Sequence, residues 1–289
     1  MKILIVIVLL AVTIEAGNID WTKVKPIAEY HGTPLHARLH NDAQGRITNG
    51  QTAEPEQFPY QAALILFTDS GTFFCGGSLI SNRWVLTSAR CTDSLSTGVD
   101  VYLGAWDRSN PNEAGQEIIY VTKNNVIVHE EWDPTELIND ISLIKLPIEV
   151  EFNDRIHPIS LPKRSNSYAS YAGATAIASG WGHISDESGA TDKLRWIEAP
   201  IMANSVCSPW YLGSVKSTHI CIKTTGGTST CDADSGGPLV LASDEPTLIG
   251  ITSFGIALGC EKGWPAVFTR TTSYVDWIAE KSGYAFSSP

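Results

Sequence analysis

The chain has 289 residues, and its 43% hydrophobic content is enough for a packed core, which excludes a disordered polymer. With 31 acidic against 20 basic residues the formal net charge is -11, so the basic footprint that phosphate recognition needs is missing and nucleic acid is excluded as a partner. Six cysteines, an even number, fit a disulfide-bonded protein of an oxidising compartment.

In chain order, Lys2 precedes an unbroken apolar run from Ile3 to Val12, with small residues following at Ala16 and Gly17. This reads as a secretory signal peptide over residues 1-16, because a bilayer span needs about 20 apolar residues. The protein is expected to be extracellular, with no membrane segment. Residues 17-46 are polar, lack cysteine and carry His31, His36 and His40. They read as a propeptide, and residues 47-289 as the folded unit. Short β-type runs follow, among them Gln61 to Phe67, Trp84 to Thr87 and Leu248 to Thr252, punctuated by Gly, Asn, Asp and Pro. That pattern predicts an all-β sandwich or barrel. One helix is predicted at the end, with Ser273 as N-cap, Tyr274, Trp277 and Ile278 on one face, and Gly283 as terminator.

The chemistry gathers at Cys231-Asp232-Ala233-Asp234-Ser235-Gly236-Gly237-Pro238-Leu239. A serine on a glycine-rich turn exposes its hydroxyl beside backbone N–H groups that can receive an oxyanion. The stretch resembles the nucleophile loop of the trypsin/chymotrypsin family of serine proteases. Further resemblance lies in Asn139-Asp140-Ile141-Ser142-Leu143-Ile144, Arg46-Ile47-Thr48-Asn49-Gly50, Ser179-Gly180-Trp181-Gly182 and Ser253-Phe254-Gly255, all in the family's chain order. The resemblance implies two six-stranded antiparallel Greek-key barrels with a junction near residues 155-175 and a C-terminal helix. It implies Ser235 as nucleophile, Asp140 as the aspartate of the triad, and Ala233 with Ser235 as oxyanion donors. Cysteine spacing alone leaves 15 pairings open; the resemblance implies Cys75–Cys91, Cys207–Cys221 and Cys231–Cys260. It implies no cofactor and no metal.

The family's histidine lies in a segment like L-T-A-A-H-C, whereas this chain reads Leu86-Thr87-Ser88-Ala89-Arg90-Cys91. Arginine stays protonated and carries donors only, so Arg90 cannot take a proton from Ser235. It is expected to form an ion pair with Asp140, bidentate in its ideal geometry. His129, His157, His183 and His219 read as ordinary structural residues. Ala233 stands where the family has glycine, and its Cβ disfavours the backbone dihedral that position needs.

Cleavage after Arg46 would free Ile47, whose ammonium is expected to pair with Asp234. The activating partner is then a trypsin-like protease, and no cysteine would tether the severed propeptide. The specificity pocket is expected from Ser229, Thr230, Ser253, Phe254, Gly255 and Ala266. With Ser229 in place of an acid and Ala266 in place of glycine, it suits a medium apolar or aromatic side chain. The expected function is that of a secreted, zymogen-like, non-catalytic homologue acting by binding to active proteases, protease inhibitors or other extracellular proteins. The alternative is an active endopeptidase of chymotrypsin-like specificity.

Overall fold

The structure, a computed structural model, describes residues 19, 23–31, 50–110, 112–182, 190–224, 228–231, 233–255 and 260–286. A two-residue strand β1 (Lys25–Pro26), a helical turn α1 (Ile27–His31) and a short strand β2 (Gln51–Thr52) precede two barrels.

The first barrel comprises β3 (Gln61–Thr68), β4 (Gly71–Ser81), β5 (Trp84–Thr87), β6 (Leu95–Leu103), β7 (Glu117–Thr122), β8 (Val126–Val128) and β9 (Ser142–Lys145). Its pairing order is β7-β6-β3-β4-β5-β9-β8. β7 and β8 are one bent segment, interrupted only by a 3-10 turn at Lys123–Asn125. Its first half pairs with β6 and its second with β9, so a single sixth strand closes the ring. Closure removes the free edges that an open sheet would expose.

The second barrel is made of β10 (Thr175–Gly180), β11 (Arg195–Met202), β12 (His219–Ile222), β13 (Pro238–Leu241), β14 (Thr247–Phe254) and β15 (Ala266–Arg270). The order β10-β13-β14-β15-β12-β11 closes through β10–β11 pairing, with β2 appended to β11. β11 shows the cause of its conformation: Ile197, Ala199 and Ile201 are buried while Glu198 and Pro200 face out, the period-2 pattern of a half-buried strand.

Each barrel has its own core, and a third cluster joins them. In it Phe74, Leu86, Ile141 and Leu143 of the first barrel pack with Trp181, Val240, Leu248 and Ile251 of the second. All three disulfides implied by the resemblance form. The closing helix runs over Val275–Ser282, one residue later than predicted. Tyr274 is its N-cap, because Ser273 belongs to a preceding 3-10 turn at Thr271–Ser273. Gly283 ends it at φ +69, as predicted. Among the described residues no helix is long and apolar enough to cross a membrane.

Candidate active site

The site lies where the barrels meet. Arg90 sits on a helical turn, α2 (Ala89–Thr92), directly after β5 and anchored to β4 by the Cys75–Cys91 bridge. Asp140 precedes β9, and β5 and β9 pair antiparallel from Thr87↔Ser142. Asn139 makes the turn into Asp140 at φ +60, a conformation Asn tolerates better than most residues. Its side chain donates to the Glu131 carbonyl at 2.7 Å and accepts from the Tyr274 hydroxyl at 3.0 Å. The Thr269 hydroxyl donates to the Asp140 carbonyl at 2.8 Å.

The Asp140 carboxylate is fully buried. One oxygen, Oδ1, accepts the backbone N–H of Arg90 at 2.9 Å, and Oδ2 accepts the Ser253 hydroxyl at 2.6 Å. The expected bidentate fork does not form. Arg90 Nε stands 3.7 Å from Oδ2, and Nη1 reaches past it to donate to the Ser253 carbonyl at 2.8 Å. The Arg90 side chain is only 8% exposed. Burial pushes the Asp140 carboxyl up from the usual aspartate range, and the Arg90 guanidinium, the Ser253 hydroxyl and the Arg90 amide pull against it.

Ser235 is brought against the same cluster. Its carbonyl accepts the Gly76 N–H at 2.8 Å, the neighbouring Gly236 N–H donates to the Thr252 carbonyl at 2.8 Å, and Cys91 Sγ lies 3.6 Å from the Ser235 carbonyl oxygen. Gly236 adopts φ +81, and a Cβ there would overlap Gly76 and Thr87. Only glycine therefore lets the serine turn approach the first barrel this closely. Ala233 is buried and held at φ +73, the left-handed conformation anticipated for its position. That conformation costs an alanine about 1 kcal/mol or more.

Asp234 is also sealed, 1% exposed, and accepts the N–H groups of Gly182 at 2.9 Å and Cys231 at 2.8 Å. Arg46 and Ile47 lie outside the described residues. Of the expected pocket, Ser229, Thr230, Ser253, Phe254 and Ala266 are buried and Gly255 is exposed. Phe254 pairs with Val267 across β14 and β15, and the Cys231–Cys260 bridge ties the serine loop to the segment before β15.

The described histidines have other duties. His129 stacks on Trp277 at 5.1 Å, and its Nδ1 accepts the Glu131 N–H. His157 is exposed and turned to the Pro158 carbonyl. His219 opens β12 and is 1% exposed, with Phe254 packed on its ring at 5.4 Å. Its Nδ1 accepts the Lys216 N–H, leaving Nε2 to donate to the Leu137 carbonyl. His36, His40, His183 and the side chain of His31 lie outside the described residues.

The two-barrel fold agrees with the comparisons. The trypsin family profile matches residues 47–278. The chain belongs to the trypsin family. It is 44% identical to serine protease 1 of Drosophila melanogaster over 245 residues, covering 85% of this chain and 89% of that protein. It is 42% identical to brachyurin of Leptuca pugilator over 82% of this chain and 99% of that one. A solved structure of HL collagenase superposes with a TM-score of 0.75 at 36% identity, over 83% of this chain and 100% of that one.

Sequence reasoning took Ser253 as a family landmark and a wall of the pocket, without a partner for its hydroxyl. Its hydroxyl on Asp140 and its carbonyl under Arg90 make it the hinge of the buried network. The signal was its place in the Ser253-Phe254-Gly255 landmark, which names a position without saying where the hydroxyl points. The positioning roles of Asn139, Tyr274 and Thr269 likewise depend on contacts between distant segments.

Proposed function

We propose that this protein is a secreted, non-catalytic member of the trypsin family, made as a precursor cut after Arg46 and acting by binding other extracellular proteins. One observation carries the reading: position 90 presents a guanidinium whose Nη1 donates to the Ser253 carbonyl, so no acceptor stands there to receive the Ser235 proton. Serine is a weak nucleophile without an adjacent base, and the same base must later protonate the leaving amine. Losing it from a serine-protease triad lowers turnover on the order of 10⁶-fold. The strained Ala233 adds a second handicap at an oxyanion donor.

The Ser253 carbonyl is also the acceptor that an extended peptide would use if it joined the sheet beside Ser253-Phe254-Gly255. Arg90 holds that acceptor, so peptide entry and base function are opposed by one side chain. The buried Ser229, with no acid beside Thr230, supports an apolar rather than a basic occupant for the pocket.

The test uses a fluorophosphonate probe and a chromogenic chymotrypsin substrate on the purified, cleaved chain. The expected result is no rapid labelling of Ser235 and no turnover above background. Stoichiometric labelling within minutes, or hydrolysis at an ordinary enzymatic rate, overturns the proposal in favour of an active endopeptidase.

A further inference from the structure

The propeptide is seated on the first barrel. β1 pairs parallel with β4, Lys25 with Phe73 and Pro26 with Phe74. β4 is fully paired on its other side from Gly71 to Ser78, and on this side β5 covers Ser78 to Ser81 while β1 takes Phe73 and Phe74. An unpaired strand edge is a template for an added strand. Just past the ladder, Ile27 is fully buried among first-barrel residues that include Phe73, Cys75 and Cys91. The Tyr30 ring meets Phe73 edge-on at 5.3 Å, and Val24 packs on the cluster between the barrels. α1 touches α2, the turn that bears Arg90. Phe74 lies two residues, about 7 Å of strand, from Gly76, whose N–H holds the Ser235 carbonyl.

We propose that this edge and the hole filled by Ile27 form a peptide-docking site, that residues 24–30 of this chain occupy it in cis, and that cutting after Arg46 makes the occupant exchangeable. This deepens the binding role put forward above and rests on it. One buried side chain, one ring contact and a two-residue ladder fall far short of the roughly 800 Å² per partner of a stable interface. The intact chain supplies the shortfall through an effective concentration in the millimolar range. Residues 17–46 contain no cysteine, so nothing covalent replaces that tether once it is cut. A partner polypeptide takes the same seat if it presents an extended segment parallel to β4, with an aliphatic side chain after the ladder and an aromatic one three residues on.

The experiment uses the full chain with residues 43–46 replaced by the site of a sequence-specific protease, since Lys23 and Arg38 would be cut by a trypsin-like one. A fluorescein-labelled peptide of residues 22–32 is titrated by anisotropy into uncut protein and into cut, gel-filtered protein. Cut protein is expected to bind with a Kd of about 10–100 µM, uncut protein at least about tenfold more weakly, and an Ile27→Asp peptide about tenfold more weakly to the cut form. Amide exchange at Phe73 to Cys75 is expected to rise at least about tenfold on cutting. Equal binding to both forms, binding to neither, an Ile27→Asp peptide that binds as well, or unchanged exchange each overturn the proposal. Catalysis is not read in this assay. Labelling of Ser235 would sink the non-catalytic reading and leave docking standing, and failed docking would do the reverse.

Discussion

Replacing Arg90 by histidine exchanges a donor-only cation for a ring that can accept a proton, at a position whose surroundings are already built. The residue-90 N–H still reaches Asp140 Oδ1 and the Ser253 hydroxyl still holds Oδ2, so the carboxylate stays oriented for a ring N–H. A base absent from such a triad costs on the order of 10⁶ in turnover. The strained oxyanion donor at Ala233 keeps back part of that, since losing one donor entirely costs about 10²–10³. The expected gain for Arg90→His is therefore about 10³–10⁵ in kcat/KM on a peptide with an aromatic or medium apolar side chain before the scissile bond. Activity should rise with pH through about 6.5–7 as the imidazole becomes neutral. The change also removes the Nη1 bond to the Ser253 carbonyl, a charged hydrogen bond whose loss costs about 1.5–3 kcal/mol. For a chain of this size Tm falls by about 3–12 °C. Chromogenic hydrolysis and fluorophosphonate labelling of the cleaved chain measure the gain, with Arg90→His/Ser235→Ala as the blank. A folded, cleaved Arg90→His protein that neither labels nor hydrolyses would refute the claim that the missing base is the principal lesion.

Three further substitutions probe the same network. Arg90→Ala leaves Asp140 buried without its cation and should cost about 3–5 kcal/mol at neutral pH. The deficit grows as pH rises above the ordinary aspartate range, because the unfolded chain ionises there while the buried carboxyl, already pushed up, resists; thermal melts from about pH 3 to 8 check it. Ala233→Gly relieves the φ +73 conformation but loosens the unfolded chain, so a net gain of about 0.5 kcal/mol is expected in urea denaturation, with about tenfold more turnover in the Arg90→His background. Gly182→Ala would drive a Cβ into both carboxylate oxygens of Asp234, and a loss of about 3 kcal/mol or more is expected in the same denaturation assay.

Much of this was legible in the chain. Period-2 burial in β11 and the compact run Trp84–Thr87 follow from side-chain pattern, and the ordered motifs point to Arg90, Asp140 and Ser235 as members of one site. The orientation of the guanidinium was not legible. It depends on the Ser253 carbonyl, 163 residues away, which takes up Nη1 and acquires its aim only in the assembled fold. Burial of Ile27 was hidden for the same reason. Its segment is polar, lacks cysteine and carries no strand pattern, so the sequence read it as a piece to be discarded, whereas the open edge of β4 gives it a seat.

The buried carboxylate constrains what position 90 can hold in place of a histidine. Asp140 is fully enclosed, and its two hydrogen bonds do not cancel a charge taken out of water. A side chain at 90 with neither a charge nor a donor would leave that carboxylate uncompensated, whereas arginine supplies a permanent cation at 3.7 Å and reaches further to the Ser253 carbonyl. The same reach closes one of the two strand edges that border the site. A peptide joining at Ser253 must displace a buried charged hydrogen bond, but one joining at Phe73–Phe74 on the other barrel displaces only residues 24–30 of the chain itself. If the protein works by binding after cleavage, the physics favours the β4 edge, because severing a tether costs the fold nothing and expelling Arg90 uncovers Asp140.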